Sequence, residues 1–271
     1  RQDHPFGPVN AIAAFVNPAS VDLGEPIQLY VTTTASAYAF QIYRMGWYQG
    51  KGARLLYRSP LQQGINQPTC SRDPATRLVS CANWLDPIAL TIPTTWVSGI
   101  YLVKLVSAAG YMRYAMFVVR DDASHSAMLA QMALMTSQAY NSWGGYSLYN
   151  YDSVGGVRAY AVSFDRPNDL YGGMGLFPQQ EYDLIRWLEH SGYDLSYAAD
   201  VDLELHPEIF TQHRLVVVAG HDEYWSTAMR DNLTSARDAG VSLAFFSAND
   251  DYWHVRLQGS PLGTDRVIVC Y

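Results

Sequence analysis

The 271-residue sequence predicts a β-sandwich followed by an α/β unit built on a mainly parallel sheet. Two observations carry this reading. Up to about Arg120 apolar residues recur at every second position between turn residues; beyond it, apolar strand-sized runs alternate with helical spacing. The length and a hydrophobic content of 49% are enough for two cores of ordinary size.

In the first half, Ile27, Leu29 and Val31 alternate with Gln28, Tyr30 and Thr32. Tyr38 to Arg44 reads as a further strand, with Gly46, Gly50 and Gly52 punctuating the turn after it. Gly99 to Val106 and Tyr111 to Val119 straddle Ala108-Ala109-Gly110 and form a hairpin pattern. No stretch here has helical spacing of convincing length. An immunoglobulin-like β-sandwich over residues 1–121 satisfies such a run of short strands.

After Arg120-Asp121-Asp122 the pattern changes. Ala127 to Ala139 is apolar, and a loop rich in Gly, Tyr, Asn and Asp runs to about Gln180. Tyr182, Leu184, Ile185, Trp187 and Leu188 then fall at helical spacing, with Gly192 placed as a C-terminal cap. Tyr193 to Tyr197 reads as a strand, Pro207 to Gln212 as a short helical segment, and Arg214 to Gly220 as a buried strand. Ser226 is an N-cap for a helix Thr227 to Ala239, ended by Gly240, and Val241 to Ser247 is expected to be another buried strand. Alternating strand and helix predicts a parallel sheet covered by helices over residues 122–271.

Composition narrows the function. The formal charge is −7, there are only two lysines, and the arginines are scattered. A nucleic-acid face and a polybasic membrane patch are therefore not expected. No apolar run approaches the roughly 18 residues of a membrane span. Cys70 and Cys81 flank a polar stretch, Ser71 to Ser80, that reads as an exposed hairpin; a disulfide there would contribute about 2–3 kcal/mol and would suit an oxidising compartment. The alternative is two unpaired thiols. With a first residue other than Met, export is the expected localisation and the cytoplasm the alternative. Cys270 is the odd cysteine, expected to stay outside the pair.

Open α/β sheets bind ligands beyond the carboxyl ends of their strands. Three loops leave such ends: Gln138 to Gly145, Gly220 to Trp225, and Ser247 to Trp253. All are dense in polar and aromatic residues. In extended backbone His221 and Glu223 share a side, with Asp222 opposite, and an imidazole beside a carboxylate holds a metal or moves protons. The structural alternative is that these residues cap the next helix and close the core. Several chemistries lack their motifs: there is no G-x-S-x-G elbow, no P-loop, no G-x-G-x-x-G after a strand, no H-E-x-x-H, and no cysteine between Cys81 and Cys270. A site here relies on oxygen ligands and a histidine. Among the 20 tyrosines, most serve strands and packing, but a phenolate also ligates iron.

Several motifs together resemble the catalytic (large, beta) subunit family of N,N-dimethylformamidase. In the first half they are Ile42-Tyr43-Arg44-Met45-Gly46-Trp47-Tyr48 with Gly50 and Gly52, then Ser98-Gly99-Ile100-Tyr101 and Phe117-Val118-Val119-Arg120. In the second they are Ala139-Tyr140-Asn141 with Trp143-Gly144-Gly145, Arg186-Trp187-Leu188-Glu189, and Gly220-His221-Asp222-Glu223-Tyr224-Trp225-Ser226, the most specific. The resemblance implies a glutamine-amidotransferase-like α/β fold and a mononuclear iron, Fe3+, held by two tyrosines and a glutamate. On this chain Glu223 corresponds to the glutamate, His221 to the neighbouring histidine and Asn249 to a polar pocket residue. Tyr140 and Tyr182 are the expected tyrosine ligands, with Tyr149 as the alternative to Tyr182. Phenolate and carboxylate suit a hard trivalent ion, which would activate water toward an amide carbonyl.

The expected function is thus iron-dependent hydrolysis of a small amide, with a non-catalytic exported binding module or a structural assembly protein as competitors. The expected partners are a small amide substrate and either a second copy or a further chain. The sequence stops at Val267-Ile268-Val269-Cys270-Tyr271, inside a strand-like run, while the resemblance implies residues beyond it. An incomplete functional unit, its pocket open on one side with apolar surface exposed, is therefore expected.

Overall fold

The computed structural model describes Phe6, Pro8 and residues 11–270; Tyr271, expected within the strand-like run Val267 to Tyr271, lies outside the described residues. The first half forms two sheets. The smaller joins Ile12–Asn17, Pro26–Thr33 and Ile88–Thr91 in that order, all antiparallel. The larger runs Ser20–Val21, Met112–Val119, Gly99–Ser107, Ala37–Met45 and Ala53–Arg58, with Gln62–Gln63 also paired to Ala37–Met45. Ile27, Leu29 and Val31 of one sheet meet Phe40, Ile42, Tyr101, Val103 and Phe117 of the other in one buried cluster. Strict alternation along Ala37–Met45 is what a strand with one buried face requires. Tyr30 departs from this pattern. It is buried on the opposite face, stacked on Phe15 at 4.7 Å, because Trp84, Cys81 and Trp143 cover that face.

Part of that cover is the loop closed by a Cys70–Cys81 disulfide, with Ser71–Arg72 paired to Val79–Ser80 as a small hairpin. Cys270 lies buried in the final strand.

Sheet character changes between Val119 and Met128. Beyond it Leu195–Ala199, Met128–Met132, Leu215–His221 and Ser242–Ala248 form a wholly parallel sheet in that order. Helices Leu134–Ala139, Tyr182–His190 and Thr227–Asp238 accompany it. Ser226 caps the last of these, its hydroxyl accepting from the Met229 N–H at 3.1 Å, as its place in the sequence predicts.

Two expectations need correction. Ser242–Ala248 was expected to be buried but is the edge strand: Phe245 is 48% and Phe246 56% exposed, one on each face, since neighbouring strand residues point oppositely. The parallel sheet also does not extend into the C-terminal run. Ala161–Ser163, Gly263–Cys270, Trp253–Ser260 and Tyr224–Ser226 make a separate sheet, antiparallel except between the last two. Val267 to Val269 therefore sits inside a sheet, flanked on both sides.

The two halves are fastened by charge as well as packing. Ile100 and Val118 join the core of the parallel sheet. Arg44 meets Glu189 at 2.8 Å, and Arg120 meets Asp202 at 3.3 Å.

Candidate functional site

Glu223 is the centre of the site. It follows the strand Leu215–His221, and its side chain is 5% exposed. Gly220, the last residue but one of that strand, has φ +85°, and a Cβ there would meet Glu181 Cγ at 2.5 Å, so glycine is required where the strand delivers the loop. The backbone of Glu223 is held from two directions. Its N–H donates to Thr136 Oγ1 at 2.9 Å, and its carbonyl accepts from the Trp253 N–H at 2.7 Å.

Four side chains converge on its carboxylate. Tyr149 donates to Oε2 at 2.7 Å and Tyr140 to Oε1 at 3.4 Å. Asn249 Nδ2 donates to Oε1 at 2.9 Å, and His221 Nε2 lies 2.7 Å from the same oxygen. The Tyr140 and Tyr149 rings are 4.3 Å apart, and Tyr151 extends the aromatic row outward, 5.4 Å from Tyr149. His221 and Glu223 thus share a side as alternation predicts. Asp222 turns inward, fully buried, with Oδ2 2.5 Å from Gln131 Nε2.

Each contributor has a local cause. Tyr140 follows the helix Leu134–Ala139, its N–H bonded to the Thr136 carbonyl, so Thr136 anchors both Tyr140 and Glu223. The loop after it wraps the buried Arg166, which donates to the carbonyls of Asn141, Trp143 and Tyr146 at 2.8–2.9 Å. Burial pulls the Arg166 guanidinium down to about 10. Tyr149 is pinned through its backbone: its N–H donates to Ser147 Oγ and its carbonyl accepts from Ser153 Oγ. Asn249 has φ +55°, a left-handed conformation asparagine tolerates, and Asp251 N–H bonds to the Asp222 carbonyl. These bonds bring the third loop onto the second.

Tyr182 does not join them. Its hydroxyl donates to the Gly52 carbonyl at 3.2 Å, and its ring packs on Phe177 and Arg186. It opens a helix whose face meets the sandwich, so it fastens the halves together, and Tyr149, the alternative, stands at Glu223 instead. Thr136, Arg166 and Tyr224, whose hydroxyl reaches Tyr149 at 2.8 Å, carry no sequence signal of their role.

Burial raises the pKa of Tyr140 above the usual phenol value; Tyr149 and Tyr224 are raised further, again chiefly by burial. As phenols, Tyr140 and Tyr149 donate their protons to the Glu223 carboxylate, and Tyr224 donates its own to the Tyr149 oxygen. Among the described residues no three His, Cys, Asp or Glu side chains group to hold a metal ion, so a metal here requires phenol oxygens. Tyr140, Tyr149 and Glu223 fit that requirement: two half-buried phenol oxygens meet at the buried Glu223 carboxylate, three hard donors in all. Beside the site Tyr151 is 73% exposed, and Asn249 is exposed as well. Among the described residues no helix is long and apolar enough to cross a membrane.

Among solved structures, a Paenibacillus sp. cycloisomaltooligosaccharide glucanotransferase aligns at 10% identity and TM-score 0.24 over 45% of this chain and 15% of that one. An uncharacterized protein from Bacillus anthracis str. Ames aligns at 11% identity and TM-score 0.25 over 43% and 85%. A superoxide reductase (neelaredoxin) from Ignicoccus hospitalis aligns at 12% and 0.24 over 41% and 78%. These likenesses are too slight to carry an argument, and this chain spans a small part of the glucanotransferase. No curated protein matches. A family model described as N,N-dimethylformamidase beta subunit-like, C-terminal, matches residues 39–271, a span that includes Arg44, Glu189, Tyr140, Tyr149, Glu223 and Asn249. The chain belongs to the N,N-dimethylformamidase beta subunit-like family.

Proposed function

We propose that this protein is an iron-dependent hydrolase of a small linear amide. The observation that carries the reading is the convergence of two phenols, an imidazole and a primary amide on one buried carboxylate. Tyr140, Tyr149 and Glu223 would hold a ferric ion, with Tyr149 in the place first expected of Tyr182. A bound ferric ion supplies a charge that polarises an amide carbonyl and acidifies water.

The chain's own residues account for the rest. His221 lies against Glu223 and 6.1 Å in ring separation from Tyr140, where it takes a proton from water and returns it to the departing amine. Asn249, exposed beside Glu223, orients the substrate oxygen through its side-chain amide. The aromatic rim of Tyr140, Tyr149 and Tyr151 excludes water from one side of the reacting carbonyl. The Cys70–Cys81 disulfide favours an oxidising compartment, so we place the protein outside the cytoplasm.

Iron content, visible absorption and release of dimethylamine from N,N-dimethylformamide or ammonia from formamide test this. Stoichiometric iron, a phenolate-to-iron absorption band and hydrolysis abolished in Glu223→Gln support it. Protein loaded with iron salts that retains none and releases neither product overturns it.

A further inference from the structure

We infer that Tyr224 is a positioning residue that sets the donor strength of the Tyr149 oxygen. The inference rests on the reading of Tyr149 as a metal-holding phenol. The direction of the hydrogen bonds is determined by the chemistry of the groups. A carboxylate only accepts, so across the 2.7 Å contact Tyr149 donates its single proton to Glu223 Oε2. The 2.8 Å contact between the two hydroxyls must then run from Tyr224 to Tyr149. The relay is Tyr224 to Tyr149 to Glu223.

Tyr224 is well placed to keep that bond. It is 1% exposed, and its backbone belongs to the strand Tyr224–Ser226, in register with Trp253 of the adjoining strand. Its ring is therefore held by a sheet, whereas Tyr140 and Tyr149 stand on loops. Were Tyr149 to hold a cation as phenolate, its proton released to solvent water, its oxygen could still accept from Tyr224, and that bond would be charge-assisted. A donor aimed at a phenolate oxygen draws electron density from it. The phenolate then gives less to the cation, leaving the cation the stronger Lewis acid. Phe at this position would keep the ring and its packing but remove the donor.

The test is the phenolate-to-iron absorption band of the iron-loaded full chain and of Tyr224→Phe, at matched iron content. Loss of the donor raises the energy of the phenolate electrons, so the band is expected to move to longer wavelength in the variant. Resonance Raman of the unmodified protein in D2O is the second measurement, independent of whether the variant folds: a shift of the phenolate C–O stretch on deuteration reports the donated proton. An unmoved band with an unshifted stretch overturns the role of Tyr224 while leaving the iron reading intact. A wild-type protein that binds no iron overturns both.

Discussion

The Arg44 guanidinium of the sandwich and the Glu189 carboxylate of helix Tyr182–His190 lie 2.8 Å apart, with side chains 9% and 17% exposed. Glu189 also accepts from the Trp47 N–H and from the Tyr197 hydroxyl, both at 2.8 Å, while Arg44 donates to the Ser98 carbonyl. Gly46 passes so close that a Cβ would meet Glu189 Oε2. Two separate sequence motifs, Ile42 to Tyr48 and Arg186 to Glu189, are thus halves of one junction. Removing one partner of a nearly buried pair strands the other charge, so Glu189→Ala should cost about 3–5 kcal/mol. Urea unfolding of both single variants and the double variant checks this: the double should cost less than the two added together.

Tyr149→Phe should abolish iron binding or reduce it severely, and Tyr182→Phe should leave it and any amide hydrolysis near wild type. The contrast follows from their hydroxyls, one on Glu223 and the other on Gly52. Metal analysis of both variants decides it. Equal losses would mean that Tyr182 reaches the site in solution.

Stability should fall as pH rises through neutrality. Burial pushes the Glu181 carboxyl from its ordinary 4.5 up to about 7, with the Ala133 N–H acting against that rise. An acid raised in the fold stays protonated where the unfolded chain has already ionised. Its contribution is full below about pH 4.5 and is lost as pH climbs through about 7, at up to about 1.4 kcal/mol per pH unit. Asp200 and Asp222, also raised by burial, act in the same sense. Unfolding measured from pH 5 to 8 should show the decline, flattened in Glu181→Gln; a variant that tracks wild type across this window would sink the assignment.

Reducing the Cys70–Cys81 bond should cost about 2–3 kcal/mol by releasing a loop of sequence separation 11. The segment also covers Tyr30 and Trp84, so near-ultraviolet circular dichroism should change on reduction. Unchanged stability under thiol reductant would show that packing alone holds the loop.

The strands and helices with regular spacing were legible because spacing is local; Ile12–Asn17, Ile88–Thr91, Ala161–Ser163 and Trp253–Ser260 were not. Although Tyr30 and Thr32, read as the outer face, are buried too, the strand over Ile27 to Thr32, the Ser226 cap and the change of pattern after Arg120 all reappear as structure. So did the side shared by His221 and Glu223, which any extended backbone imposes. Tertiary structure alone decided which tyrosine meets Glu223. Tyr182 has the better sequence context, on a helix beside the right sheet, yet that helix turns its first residue toward Gly52. Tyr149 lies in an irregular loop whose path is set by Ser147, Ser153 and the buried Arg166, contacts spread over 20 residues of chain that no periodicity encodes. The edge position of Ser242–Ala248 was equally hidden: an apolar run reads as buried whether or not a neighbour stands beside it, since exposure depends on what packs there and not on the run itself.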